Sequence, residues 1–120
     1  MNRSILIVDD DQTIREALSI FLTGEGYTCH LAKDGREALE KLCSVPVDLI
    51  LLDLHMSRQQ GLNVLDQIME SSPDITVIII TAYYHIDEAA KALKKGASRL
   101  VLKPIDFEEL LSVVNEHFQD

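Results

Sequence analysis

Positive charge is scarce in this chain. Eleven Lys and Arg stand against twenty Asp and Glu, for a formal net charge of −9. That balance argues against direct contact with nucleic-acid phosphates or an anionic membrane surface. Cysteine is scarcer. Cys29 and Cys43 are the only two, and their spacing matches neither a CxxC redox pair nor a zinc site. They read as buried or half-buried thiols in a reducing compartment. Long apolar runs are missing as well, so no segment is expected to span a bilayer. Asp9, Asp10 and Asp11 interrupt the first apolar run, which rules out reading it as a signal peptide, and the expected location is cytoplasmic. With no internal repeat, linker or low-complexity stretch, residues 1–120 read as a single domain.

What is present suits a soluble globular unit, with 47% hydrophobic and 26% charged residues. A chain of this length should bury roughly two-thirds of its unfolded surface, enough for one core without staples. Five short apolar runs stand out: Ile5 to Val8, Tyr27 to Ala32, Val47 to Leu52, Ile75 to Ile80 and Arg99 to Leu102. Three are almost continuous in Ile, Val and Leu, the pattern of strands covered on both faces. Between them lie stretches of helical period. Ile14, Ala17, Leu18, Phe21 and Leu22 share one helix face, as do Phe107, Leu110, Leu111, Val114 and Phe118. Asp11, and the pairs Asp34 with Glu37 and Asp106 with Glu109, look like helix starts. Gly24 or Gly26, and Gly96, stand where helices should stop. Five strands alternating with five helices imply an α/β fold, a doubly wound parallel sheet with right-handed crossovers.

Ligands of such sheets bind beyond the carboxyl ends of the strands. Asp9, Asp10 and Asp11 follow the first strand, Asp53 the third, Thr81 the fourth and Lys103 the fifth. The second strand exits at Lys33 and Asp34 and reads as an edge strand away from the others. Each residue alone has a plain explanation as a cap, a turn former or a solvated side chain. Together, Asp9, Asp10 and Asp53 form a carboxylate cluster that calls for a cation. All-oxygen ligands suit Mg²⁺. With Lys103 adding positive charge and Thr81 a hydroxyl donor, the set points to phosphoryl transfer, and Asp53 is the expected nucleophile.

Ile7-Val8-Asp9-Asp10-Asp11, Asp53-Leu54-His55-Met56 with Gly61, Ile80-Thr81-Ala82 and Lys103-Pro104 together resemble the receiver domains of two-component response regulators. The resemblance covers essentially the whole chain. It implies a flavodoxin-like five-stranded sheet of order 2-1-3-4-5, with Asp53 as phosphoacceptor for a histidine kinase or histidine phosphotransfer protein. It further implies Mg²⁺ (or Mn²⁺) held by Asp10, Asp53, the backbone carbonyl of His55 and, partly through water, Asp9. Thr81 then corresponds to the switch hydroxyl, Lys103 to the phosphoryl-binding lysine, and the Lys103–Pro104 peptide is expected to be cis. Such a domain is not an enzyme in the ordinary sense; it assists only its own phosphorylation and dephosphorylation. Relatives often dimerise or meet output domains through the fourth helix, fifth strand and fifth helix, so a homodimer and a C-terminal output domain are expected partners.

Three departures qualify the resemblance. Ser57 stands where a proline is frequent, Arg58-Gln59-Gln60 lacks the acidic residue often found before Gly61, and Leu100 replaces the usual switch aromatic. Aromatic rotation coupled to Thr81 is therefore not expected, and movement of the fourth helix and its loop takes its place. Tyr83 and Tyr84, with Leu100 and Pro104, are assigned to the switch and partner surface, and Tyr83 is expected to shield the acyl phosphate from water. The His55 ring is not expected to bind the metal. His30, His85 and His117 read as surface residues, and Lys91, Lys94 and Lys95 as a solvated helix face.

Two rivals remain. A haloacid-dehalogenase-type phosphatase combines similar groups, but usually with a second Asp two residues after the nucleophile, where His55 stands. A receiver-like module that signals without phosphate is the other. Nucleotide binding is disfavoured, because neither GxGxxG nor GxxxxGK[ST] follows the first strand.

Overall fold

The computed structural model describes residues 3–56, 59–82 and 85–119. Strand β3 (Leu49–Asp53) is buried along its whole length, as is β1 (Ser4–Val8). Both are runs of Ile, Leu and Val with few polar breaks, which suits strands covered on two faces. Around them lie β2 (Thr28–Ala32), β4 (Thr76–Ala82) and β5 (Arg99–Lys103). All five pair in parallel, in the order β2-β1-β3-β4-β5, which is the flavodoxin-like order expected. The outermost strands, β2 and β5, are only partly covered.

The crossovers are α1 (Gln12–Gly24), α2 (Gly35–Ser44), α3 (Gly61–Ser71), α4 (Ile86–Lys94) and α5 (Phe107–Phe118). Alternate strand residues feed opposite faces, as the period of two requires. Ile5, Ile7, Leu49, Leu51, Ile78 and Ile80 pack against α1 and α5 through Leu18, Leu22, Leu110 and Val114. Leu6, Val8, Ile50, Leu52, Val77 and Ile79 pack against α2, α3 and α4 through Ala38, Leu65, Ile68, Ala89 and Ala92.

Helix starts follow the sequence signals. Asp11, Asp34 and Asp106 are N-caps whose carboxylates accept from backbone N–H groups of the first turn. Gly26 and Gly96 follow helix ends at φ +99° and +120°, a region open to glycine and strained for other residues.

Some expectations need adjusting. The parallel ladder carries β3 and β5 one residue further than the apolar runs, and β4 two, so Asp53, Thr81 and Lys103 lie within the strand ends. A two-residue antiparallel ladder, His55–Met56 against Gln59–Gln60, was not foreseen. Cys29 is half-buried, but Cys43 is exposed, because Leu39 and Leu42 supply the packing side of α2. Lys95 does not simply face solvent; its Nζ lies 3.1 Å from Asp66 Oδ1 and ties α4 to α3. Among the described residues no helix is long and apolar enough to cross a membrane.

Candidate functional site

Sheet register gathers the polar residues at one rim. Val8 lies beside Leu52, so Asp9 and Asp53 leave neighbouring strands at the same level. Asp53 pairs with Ile80 on β4, one position before Thr81, and Ala82 pairs with Lys103 on β5. Three central strands and one edge strand thus deliver the cluster.

Asp9 is 2% exposed, Asp53 3% and Thr81 1%, while Asp10 faces solvent. One carboxylate oxygen from each of Asp9, Asp10 and Asp53 lies within 4.8 Å of the others. Lys103 Nζ stands 3.4 Å from Asp53 Oδ2 and 3.9 Å from Asp9 Oδ2. Asp53 Oδ1 accepts from the His55 N–H at 3.1 Å, and Asp9 Oδ1 accepts from the Asp11 N–H at 2.9 Å. Two buried atoms, Asp9 Oδ2 and Thr81 Oγ1, have no hydrogen-bond partner among the described residues.

The electrostatics follow. Burial pushes the Asp9 carboxyl up to about 6; the charges of Asp53 and Asp10 add to the rise, while the Asp11 N–H and Lys103 oppose it. Burial likewise raises Asp53, against the lowering pull of the His55 N–H and of Lys103. One ammonium, Lys103, is shared by the two buried carboxylates of Asp9 and Asp53. Oxygen donors with an unpartnered buried oxygen fit a hard divalent cation better than a soft one.

The sequence-predicted residues Asp9, Asp10, Asp53 and Lys103 meet here, with Thr81 on the strand beside Asp53. The Lys103–Pro104 peptide is cis, as the resemblance implied. Leu100 is half-buried against the core beneath α2, α3 and α4, and Pro104 is exposed. Tyr83, Tyr84 and Ser57 lie outside the described residues. Gly61 opens α3 so close to Leu54 that a Cβ there would fall on the Leu54 backbone, and its N–H donates to the Leu54 carbonyl at 2.8 Å.

Sequence reasoning missed two features. Arg15 reaches back from α1, and its Nη1 donates to the Asp9 carbonyl at 2.6 Å. An Arg six residues after an Asp carries no motif that signals this. His85, expected at the surface, is half-buried instead. Its ring stacks on that of His55 at 3.5 Å, because the start of α4 lies over the segment that follows Asp53.

Known proteins are similar in sequence and fold. The profile of the response regulator receiver domain matches residues 5–115. The transcriptional regulatory protein ZraR of Klebsiella oxytoca is 41% identical over 112 residues, covering 93% of this chain and 25% of that protein. The DNA-binding transcriptional regulator NtrC of Escherichia coli (strain K12) is 39% identical over 124 residues, covering 100% of this chain and 26% of its own length. In structure, the receiver domain of NtrX from Brucella abortus superposes with a TM-score of 0.90 at 30% identity, covering 96% of this chain and 98% of that one. The chain spans only about a quarter of the length of the ZraR and NtrC relatives.

Proposed function

The chain belongs to the response regulator receiver domain family, and we propose that it takes a phosphoryl group from a histidine kinase or histidine phosphotransfer protein onto Asp53 and changes conformation in response. The observation that carries this reading is the meeting of two buried carboxylates with one ammonium, Lys103 Nζ at 3.4 Å from Asp53 Oδ2, beside a buried Thr81 hydroxyl that has no hydrogen-bond partner among the described residues. Structural carboxylates and hydroxyls at such burial are normally satisfied. A phosphoryl group would supply acceptors for both Lys103 and Thr81.

Asp9, Asp10, Asp53 and the backbone carbonyl of His55 would hold Mg²⁺ (or Mn²⁺), which when bound neutralises the carboxylates and the phosphoryl oxygens. A carboxylate oxygen of Asp53 forms the bond to phosphorus while the bond from phosphorus to the donor's imidazole nitrogen breaks. The imidazole leaves with the electron pair and is protonated by solvent. Lys103 stabilises negative charge on the transferring group, and Thr81 donates to one of its oxygens. Arg15 holds the Asp9 backbone and so positions the acidic pair.

One phosphoryl group per chain, without turnover, makes this a signalling domain rather than an enzyme. Residues 1–120 then act as a single module in the cytoplasm, and a C-terminal output domain in a longer chain is the natural partner. Leu93 and Leu102, 43% and 38% exposed, favour a contact through α4, β5 and α5, either with that partner or with a second copy. The net charge of −9 argues against nucleic-acid contact by this unit. With Leu100 in place of an aromatic, the switch rests on Thr81 and the start of α4.

Incubation with acetyl phosphate and Mg²⁺, followed by intact mass, tests the proposal. The expected result is a gain of one phosphoryl group that is absent in Asp53→Asn. No gain in the parent chain, or an equal gain in the variant, would overturn it. Steady release of phosphate from an ester would point to the phosphatase instead.

A further inference from the structure

A second group of ligating side chains lies beside the acidic cluster. His55, His85 and Glu88 each offer one ligating atom, and these atoms lie within 4.8 Å of one another. His55 Nε2 stands 3.0 Å from Glu88 Oε2, close enough for an ion pair but not aligned as a hydrogen bond, and it is buried with no hydrogen-bond partner among the described residues. The His55 and His85 rings stack with centroids 3.5 Å apart and an interplanar angle of 24°. His85 occupies the N-cap position of α4 without using its ring as a cap. Glu88 follows it by three residues, which sets the two on one side of the first turn.

We infer that His55, His85 and Glu88 form a binding site for a zinc-class divalent cation, separate in donor chemistry from the carboxylate cluster. Two imidazoles and one carboxylate are a set that Zn²⁺ accepts, with a fourth tetrahedral position left to water. Mg²⁺, which favours oxygen, would not choose it. The distances decide in its favour. With bonds of about 2.0–2.1 Å, neighbouring tetrahedral ligand atoms sit roughly 3.3 Å apart. The His55–Glu88 pair is already near that value, and the three ligating atoms span at most 4.8 Å; the His85 ring must turn out of its stack on His55 for its nitrogen to aim at the same point.

The partners come from two regions distant in sequence. Glu88 and His85 begin α4, while His55 follows Asp53 by two residues and gives its own N–H to the Asp53 carboxylate. A cation held here would fasten the start of α4 to the segment beyond Asp53.

The test is calorimetric titration of Zn²⁺ into the untagged 120-residue chain with excess Mg²⁺ present, alongside the absorption spectrum of the Co²⁺ form. One Zn²⁺ per chain is expected, with a Co²⁺ spectrum of tetrahedral nitrogen and oxygen ligation. His85→Ala and Glu88→Gln, made separately and checked for native circular dichroism, should each weaken binding roughly tenfold or more. Absence of stoichiometric binding, affinity unchanged in both variants, or binding lost in Asp10→Asn but kept in these two would each overturn the assignment.

Discussion

The two ends of the sheet treat their polar groups in opposite ways. At the amino end, hydrogen bonds close the structure. Asp48 Oδ2 accepts from the buried Ser4 N–H at 2.9 Å, the Asp48 N–H donates to the Ser4 carbonyl at 2.9 Å, and the Ser98 N–H donates to the Val77 carbonyl at 2.8 Å. At the carboxyl end, Asp9 Oδ2 and Thr81 Oγ1 are buried with no hydrogen-bond partner among the described residues, and two buried carboxylates share one lysine. A buried polar atom left unpaired costs about 1–3 kcal/mol. The same sheet is therefore built for stability at one rim and holds unmet polar groups at the other, where a ligand can meet them.

Three substitutions sharpen that contrast. The largest effect should come from Asp9. Its carboxyl titrates near 6 in the folded chain against 3.8 ordinarily, so protonation favours the folded state. That contribution is complete below about pH 4 and is lost as pH rises through about 6. In a chelator-treated sample, thermal melts of the parent chain should fall behind those of Asp9→Asn by several degrees between pH 4.5 and 7. A constant gap across that range would show that the burial of Asp9 carries no such charge penalty.

Next in size is Thr81→Val, which swaps the unpartnered hydroxyl for a methyl of similar shape. Stability should rise by about 1 kcal/mol in urea unfolding, because a buried polar atom without a partner is removed. Phosphoryl uptake from acetyl phosphate should slow at the same time. A loss of stability in this variant would mean that the hydroxyl is satisfied in the folded protein. Smallest is Asp48→Ala at the other rim, which should cost up to about 1 kcal/mol through the lost bond to the Ser4 N–H and leave phosphoryl uptake unchanged. A change in uptake would break the separation between the two ends.

The fold was largely legible in the sequence because its signals are local. Ile, Leu and Val runs give strands, and Asp11, Asp34 and Asp106 cap the helices that follow. The acidic cluster was legible for a different reason: in a parallel sheet every strand exit shares a rim, so Asp9, Asp53, Thr81 and Lys103 need only strand ends to be placed. The carboxyl ends of β3, β4 and β5 were read short, since Asp53, Thr81 and Lys103 are polar and end an apolar run without ending the ladder. Contacts across the rim were not legible. Arg15 reaching the Asp9 carbonyl depends on the pitch of α1, and His55 meeting His85 depends on how α4 lies over the chain after Asp53. His85 was read as a surface residue without metal spacing, and nothing in the chain announces that His55 comes to meet it and Glu88.

Gly61 carries a consequence for how this segment can vary. Its missing side chain lets α3 begin directly against the Leu54 backbone, so residues 54 and 61 form a clamp at the base of the intervening stretch. A methyl group at position 61 would fall on the Leu54 backbone and pry the helix from the strand.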